Sequence, residues 1–573
     1  NLTTGNNNVG LGKQALYYVT SGEGNTAVGY KALKDHEENN TTAVGTSALE
    51  NNVTGVGNIA IGYEALLTAT GSNYNTAVGF ESLKVQTPYQ ASSTESGLNT
   101  AVGYQTGTAI TFGHENTLMG YKAGAAITTG YQNVAIGNTA LDALTVGRVN
   151  VAIGHGALGD EDVGTGTIAI GYLAAHKQNS DSDHEQTKNT MIGYEAGYYN
   201  VTGTSNILIG WRAGLGASGN SYSTNIGVGE RALTAITTGN LNTSVGHESG
   251  KAITTGNHNA FFGQNAGQDA TTASGSVFIG SQAGVTTTTG NMNVAVGHDA
   301  LSGGVTTGDY NIAIGMSAGD AITSGFSNIL LGRDAGGALQ SGYNHILMGP
   351  TAGDALTGGR NNVALGQHAL GGSTANVGCI AIGSAAMQAI NSTDADHTVG
   401  IGNEVLVSLT NGQYNVAIGH QAMSTETQGD RNTAVGYQAL KDQNGVNGEV
   451  HNTAVGYIAG HNITTGKSNT VLGSEAGTSL TTASQSVCIG RTAGNTISTG
   501  NQNIAVGFGA MNNNTVTGDN NIAVGTNAGN DLTSGIRFWK SSLNWIVEYR
   551  YWQRCTKSSN YRKWNSSSRS RCN

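Results

Sequence analysis

The sequence predicts an all-β chain, a parallel β-solenoid (β-roll) of about thirty coils of about 17 residues each. Three observations predict it. A glycine closes an N-x-A-V/I-G pentad again and again at near-constant spacing; the residues leading to it alternate with period two; and the composition suits a thin ordered core. Glycine numbers 88 and proline 2, while charged residues are 11% and aromatics 6%. That composition lacks the G-X-Y period and proline of collagen, and its regular β-branched residues argue against a disordered glycine-rich linker.

The closing glycines run Gly12, Gly29, Gly45, Gly62 and Gly79, then Gly103, Gly120, Gly137, Gly154 and Gly171, and the register holds to Gly525. Most steps are 17 residues, with longer ones of 24 from Gly79 to Gly103, 22 from Gly171 to Gly193 and 20 from Gly436 to Gly456. Extra residues therefore enter a constant scaffold at a few points, as surface loops.

Within a unit such as Asn133-Val134-Ala135-Ile136-Gly137, alternation of β-branched and small residues marks a short strand. The residue before the glycine is always apolar (Val28, Ile61, Met119, Phe262, Leu331), so it is expected to face the interior. The residue two before it, usually Ala, is expected on a cramped, semi-buried second face that packs against a further surface, another chain being one candidate. Three residues past the glycine an almost constant Ala (Ala32, Ala65, Ala123, Ala213) is expected in a second, shorter strand. A turn such as Ile127-Thr128-Thr129-Gly130 then closes the coil, its glycine expected to supply positive φ. Such a unit buries an apolar face only by stacking on its neighbours, and thirty coils at about 4.8 Å would make a rod roughly 140 Å long.

An Asn four before the glycine recurs in most units: Asn25, Asn58, Asn75, Asn116, Asn133, Asn206, Asn293, Asn415 and Asn503. Thr41, Thr167, Ser276 and Ser486 replace it elsewhere. Small hydrogen-bonding side chains at one register predict a structural ladder that bonds along the axis or caps the turns. A ligand-binding ladder is the competing reading.

Catalytic patterns are absent. The 14 His are scattered without HExxH, no G-x-S-x-G elbow in an α/β context is available, and glycine triplets such as Gly227-Val228-Gly229 lack a following helix to present to phosphate. No GGxGxD calcium runs and no CxxC spacing appear among Cys379, Cys488, Cys555 and Cys572. The expectation is a non-enzyme with no cofactor, metal or disulfide framework. A net charge of −10 with no basic aromatic cluster before residue 536 argues against nucleic acid, and no apolar run is long enough to insert in a membrane. The chain opens Asn1-Leu2-Thr3 without Met or leader and so reads as a mature or excised fragment.

The inserted loops bring charge and aromatics to an otherwise bland surface. Candidate binding residues are Lys84 and Tyr89 in 84–95; His176, Asp181 and His184 in 173–186; and Lys441 and Glu449 in 441–451. Tolerated length variation is the alternative. The repeat array spans 1–535. In 536–573 the pattern stops, and this tail holds four of the five Trp, nine Lys or Arg and a single Glu. Read one nucleotide later, its codons permit T-G-x-x-N-I-A-I-G-x-x-A in the repeat's spacing, so the tail reads as a frameshifted continuation of the array.

Units such as Asn432-Thr-Ala-Val-Gly-Tyr-Gln-Ala-Leu440 resemble the head repeats of trimeric autotransporter adhesins (YadA-like heads) and the repeats of phage and bacterial tail-fibre-like proteins. The resemblance covers nearly all of 5–535. It implies a left-handed β-roll, a homotrimer, an extracellular, cell-surface or virion-surface location, and attachment to a host surface, matrix or glycan. The 17-residue unit is longer than the shorter head repeats of that family, and no heptad stalk or anchor barrel is visible. Two other expectations stand beside an adhesin or fibre rod. One is a purely structural filament, because exposed solenoid ends can template another molecule. The other is an ice-binding solenoid, weakened because the Thr128–Thr129 pairs are adjacent at a turn.

Overall fold

A computed structural model describes residues 5–87, 97–183, 185–391, 395–445 and 448–532, together with the backbone of 538–540. It is all-β: a parallel β-solenoid of about 29 turns with about 17 residues per turn. By internal contacts it divides into two units, Asn1–Gly378 and Cys379–Asn573. The first stacks strands from Val9–Leu11 to Val363–Leu365, and the second from Ile380–Ile382 to Ile522–Val524.

Each coil contributes one three-residue strand that pairs in parallel with its equivalent on the next coil, as in Val134↔Val151, Ala135↔Ala152 and Ile136↔Ile153. Longer steps keep that register: Thr76↔Thr100 and Thr433↔Thr453 pair across insertions. A one-residue slip would exchange the two faces.

The interior is the reverse of the expected one. A three-residue strand points its centre one way and both flanks the other, and here the centre points in. Ala27, Ala135 and Ala152 are fully buried, whereas Ile61, Met119, Phe262 and Leu331 are each more than a third exposed. A coil this short encloses so little width that a small residue suits its strand centre, and the bulky β-branched pair goes outside.

The expected second strand is not there either. The segment after the closing glycine is a turn whose second and fourth residues adopt left-handed backbone, as at Lys31 (φ 60°) and Leu33 (φ 49°). Alternating hand is how Ala32 and Leu33 both point into the core, where both are fully buried. The closing glycine has φ near +140° (Gly137, 143°), and an added Cβ there would lie 2.3 Å from the Gly154 carbonyl oxygen. No other residue meets both demands. Gly130, by contrast, is not among the residues with positive φ; a Cβ would meet the Gly147 carbonyl oxygen at 2.5 Å, so close approach alone requires glycine there.

The core has a volume rule. Where the strand centre is Ala or Gly, the fourth residue past the glycine is commonly Leu or Met (Leu33, Leu141, Leu233, Met423), fully buried. Where the centre is large, as at Leu118, Met191, Leu208, Phe261, Phe278, Leu330, Leu347 and Val471, the fourth residue of its own coil is Gly. The coil before is Gly or Ala there as well. At Gly267 a Cβ would sit 2.6 Å from Phe261 Cε2, and at Gly107 2.7 Å from Leu118 Cδ1 on the next coil. Phe261 and Phe278 stack inside at 4.8 Å, filling the room these glycines leave.

Turn amides bond to the next coil. The backbone N–H groups of Thr128, Thr129 and Gly130 all donate to the Thr145 carbonyl, and the Thr128 hydroxyl donates to it as well. The half-buried Thr128 hydroxyl is thereby bonded along the stack, while Thr129 is exposed.

Candidate functional surface

The asparagine ladder is internal. Asn25, Asn58, Asn75, Asn116, Asn133, Asn206, Asn293, Asn415 and Asn503 are all fully buried. At Asn133 the backbone N–H and Nδ2 both donate to Asn116 Oδ1 (3.0 and 3.1 Å), and Nδ2 also donates to the Gly147 carbonyl (3.0 Å). One side chain thus serves the coil before, its own turn and the coil after. Asn75 and Asn206 repeat the bond to the preceding amide, on Asn58 and Asn189. Asn25, Asn58 and Asn415 cap turn carbonyls. Where Ser stands below, at Ser276 and Ser486, its hydroxyl oxygen accepts from the N–H of Asn293 or Asn503 at 3.3 and 3.2 Å. No solvent-facing amide is left to hold a ligand at these nine positions.

The loop candidates are placed differently from one another. Tyr89 and His184 lie outside the described residues. Lys84 is in the regular coil, its Nζ 2.7 Å from both Glu64 and Glu81. The hydrogen bond to Glu64, with that to Glu81, raises its pKa above the ordinary lysine range. His176 is also in the coil: Nδ1 bonds the Gly156 carbonyl at 2.8 Å, Nε2 lies 3.7 Å from Asp160, and the ring tilts against Tyr198. Asp181 is exposed in the inserted stretch, its N–H donating to Glu185 (3.2 Å). Lys441 is half-buried and its carbonyl accepts from the Thr425 hydroxyl (2.7 Å). Glu449 is exposed and paired with Arg431 and with His451 (3.1 Å).

The boundaries of the insertions are therefore narrower than expected. Extra residues leave the coil at one place, just after an inward-pointing Gln at Gln86, Gln178 or Gln443. After Gln443 the returning chain adds a short parallel pairing, Gly429–Asp430 with Gly448–Glu449.

The broadest functional candidate is one the sequence reading had turned inside out. Both flanking residues of each strand face outward: the one before the closing glycine is a large apolar residue, and the one at the strand's start is Ile or Val in many coils and Thr in others, such as Thr76, Thr100 and Thr117. Ile59, Ile61, Ile207, Ile209, Ile312, Ile314, Ile329 and Leu331 are all more than a third exposed. Beside them, the residue after the closing glycine forms an aromatic column. Tyr63, Phe80, Tyr104 and Tyr121 stack nearly parallel with centroids 5.1, 5.1 and 5.4 Å apart, and His155, Tyr172, Tyr194 and Trp211 make a second stack. Ring faces within a stack cover one another, so the column displays edges. The strand centre, usually Ala and exchanged for Leu, Met, Phe or Val where Gly stands four past the closing glycine, was the signal that could have identified this outward face.

Chemistry elsewhere is sparse. Among the described residues no group of three His, Cys, Asp or Glu could hold a metal ion, and no helix is long and apolar enough to cross a membrane. Cys379 and Cys488 are buried and form no disulfide; burial pushes both thiols up to about 12. The outward face and the stack together define the class, a repetitive parallel β-solenoid with an apolar strand face. No protein-family model matches the sequence, and no curated protein matches it significantly.

Proposed function

We propose that this chain is an extracellular structural module, a fibre or adhesin rod that self-associates through its outward strand face and carries a surface for attachment. The observation that carries the reading is the outward strand face, a run of exposed and half-buried aliphatic side chains interspersed with Thr and bordered in places by stacked aromatic edges. In the first unit about twenty strands at ~4.8 Å give a stripe roughly 95 Å long and about 10 Å wide. That is about 950 Å², near the ~800 Å² per partner of a standard stable interface. An exposed apolar patch of this size ordinarily marks an interaction site. A second copy fits it, because its coils repeat at the same spacing and present the same columns.

The resemblance to autotransporter-adhesin heads and tail-fibre repeats supports a homotrimer, a cell-surface or virion-surface location and a host-surface, matrix or glycan ligand. It also supports a role without catalysis. A filament with no ligand is the alternative, resting on the same face. Ice binding has weaker support: outward Thr does recur at Thr76, Thr100 and Thr117, but Ile or Val replaces it in many coils and the neighbouring column is large and apolar.

Sedimentation tests the reading. The intact chain should be oligomeric at micromolar concentration, and arginines at Ile312, Ile314, Ile329 and Leu331 should shift it toward monomer with an unchanged β-type circular dichroism spectrum. A monomeric parent chain overturns it. Thermal hysteresis of the parent would favour ice binding instead.

A further inference from the structure

Two buried carboxylates have no part in the proposed interface. Glu161 and Glu426 are fully buried at the inward register that Leu144, Leu339 and Leu409 occupy in ordinary coils. In an ordinary coil the three turn N–H groups that follow this register donate to one carbonyl on the next coil. Thr237, Thr238 and Gly239 donate to the Thr254 carbonyl, and Thr323, Ser324 and Gly325 to that of Gln340. Above Glu161 and Glu426 the corresponding residues are Asn179 and Asn444, where the chain leaves the stack into an insertion.

The carboxylates occupy the gap. Glu161 Oε1 accepts from the N–H groups of Gly164 (2.6 Å), Val163 (3.2 Å) and Ser180 (3.3 Å). Glu426 Oε1 accepts from those of Gly429 (2.8 Å), Thr427 (2.9 Å), Gln428 (3.0 Å) and Gly445 (3.1 Å). The second oxygen accepts from a Gln side chain at both sites, and also from the Ser180 hydroxyl at Glu161 (3.0 Å) and from the Gly445 N–H at Glu426 (3.3 Å). Gln178 Nε2 donates to Glu161 Oε2 (3.0 Å) and Gln443 Nε2 to Glu426 Oε2 (2.7 Å). Each Gln then accepts, through Oε1, from the ladder amide of the following coil, Asn189 (2.9 Å) or Asn452 (3.0 Å). A Glu–Gln–Asn chain bridges the stack twice, in two units, each time where a segment departs.

We infer that Glu161 and Glu426 are positioning residues, each standing in for the carbonyl that an insertion carries away, so that a loop leaves and returns without opening the coils on either side. An unpaired buried N–H is costly, and a single side-chain oxygen at hydrogen-bond range of three or four of them removes the need for the missing peptide. Gln86 marks the third long insertion in the same way, but Ala69 lies beneath it in place of a carboxylate. The device is therefore specific to two of the three.

Amide hydrogen exchange of the full chain tests this. Glu426→Leu should speed exchange at Thr427, Gln428, Gly429 and Gly445 at least tenfold, while Glu426→Gln, whose carbonyl oxygen still accepts, should stay within about threefold of the parent. Excising residues 446–448 restores the 17-residue step, and in that background Glu426→Leu should exchange like the ordinary Leu409 coil. Glu161→Leu and Glu161→Gln provide the same comparison at the other site. Unchanged exchange in the Leu variants overturns the inference, and so does a trimmed Glu426→Leu chain that still exchanges as fast as the untrimmed one.

Discussion

Leu118 and Gly124 show how far single residues determine this core. Leu118 is fully buried and reaches into space left open by Gly107 and Gly124. Truncation to Ala should cost about 2–4 kcal/mol, since the rigid coils cannot collapse on the cavity. Adding Gly124→Leu should recover part of that loss, because Leu already takes the same left-handed backbone at Leu141 (φ 55°). In the parent background Gly124→Leu should destabilise, giving a strongly non-additive cycle in denaturation midpoints. The rule was present in the sequence as Ala-to-Leu exchanges paired with Leu-to-Gly ones. It was not legible while the Ala position was assigned to the outside. A second residue-scale feature is His345, which replaces Asn in the ladder: its N–H donates to Asn328 Oδ1 (3.0 Å), and its Nδ1 accepts from Asn362 N–H (3.4 Å). Burial pushes its pKa from 6.5 down to about 4. Above pH 6.5 neither folded nor unfolded chain binds this proton. As pH falls from 6.5 toward 4 only the unfolded state does, so stability drops, by about 3 kcal/mol at full effect. His345→Asn should remove that component, seen as a smaller fall in melting temperature between pH 7 and pH 4.5.

At the scale of the coil, hydrogen bonding is as decisive as packing. Asn116→Ala would leave the N–H and one Nδ2 donor of Asn133 without their acceptor and would uncap the Gly130 carbonyl. A loss of about 2–4 kcal/mol is expected, with Asn116→Ser less severe because Ser already serves in the ladder at Ser276. Exchange protection at Asn133 measures it directly. Period, strand position, Asn ladder and insertion sites were all legible in the sequence, because repetition averages away the noise of any one unit. The inward face was not. Val-Ala-Ile alternation fits either orientation, and the common rule that large apolar residues go inside chose the wrong one, because the interior opposite the strand centre is usually filled already by a Leu or Met four past the glycine. The second strand failed for a related reason: left-handed φ at Lys31, Glu64 or Arg212 has no sequence signature when only some of the equivalent positions are Gly. The tail from residue 536 lies outside the described residues apart from the backbone of Phe538–Lys540, which pairs in parallel with Ile522–Val524.

Across the described residues, the governing fact is that most backbone hydrogen bonds join residues about one repeat apart. A coil meets only the coil before and the coil after, so stability is a sum of coil and junction terms rather than a property of one global core. It follows that length is a heritable variable this architecture can change by recombination. Excising Val134–Asn150, one whole repeat, places Leu118 and Gly124 beside Ala152 and Leu158, and the one new junction matches the old; the circular dichroism spectrum per residue should be preserved. Removing Thr243–Asn259 instead sets Leu233 against Phe261, and that deletion should be destabilising although it is just as regular. Unequal crossing-over could therefore lengthen or shorten such a gene freely through its Ala–Leu stretches, while its Phe and Leu centres would be inherited as blocks together with the glycines that flank them.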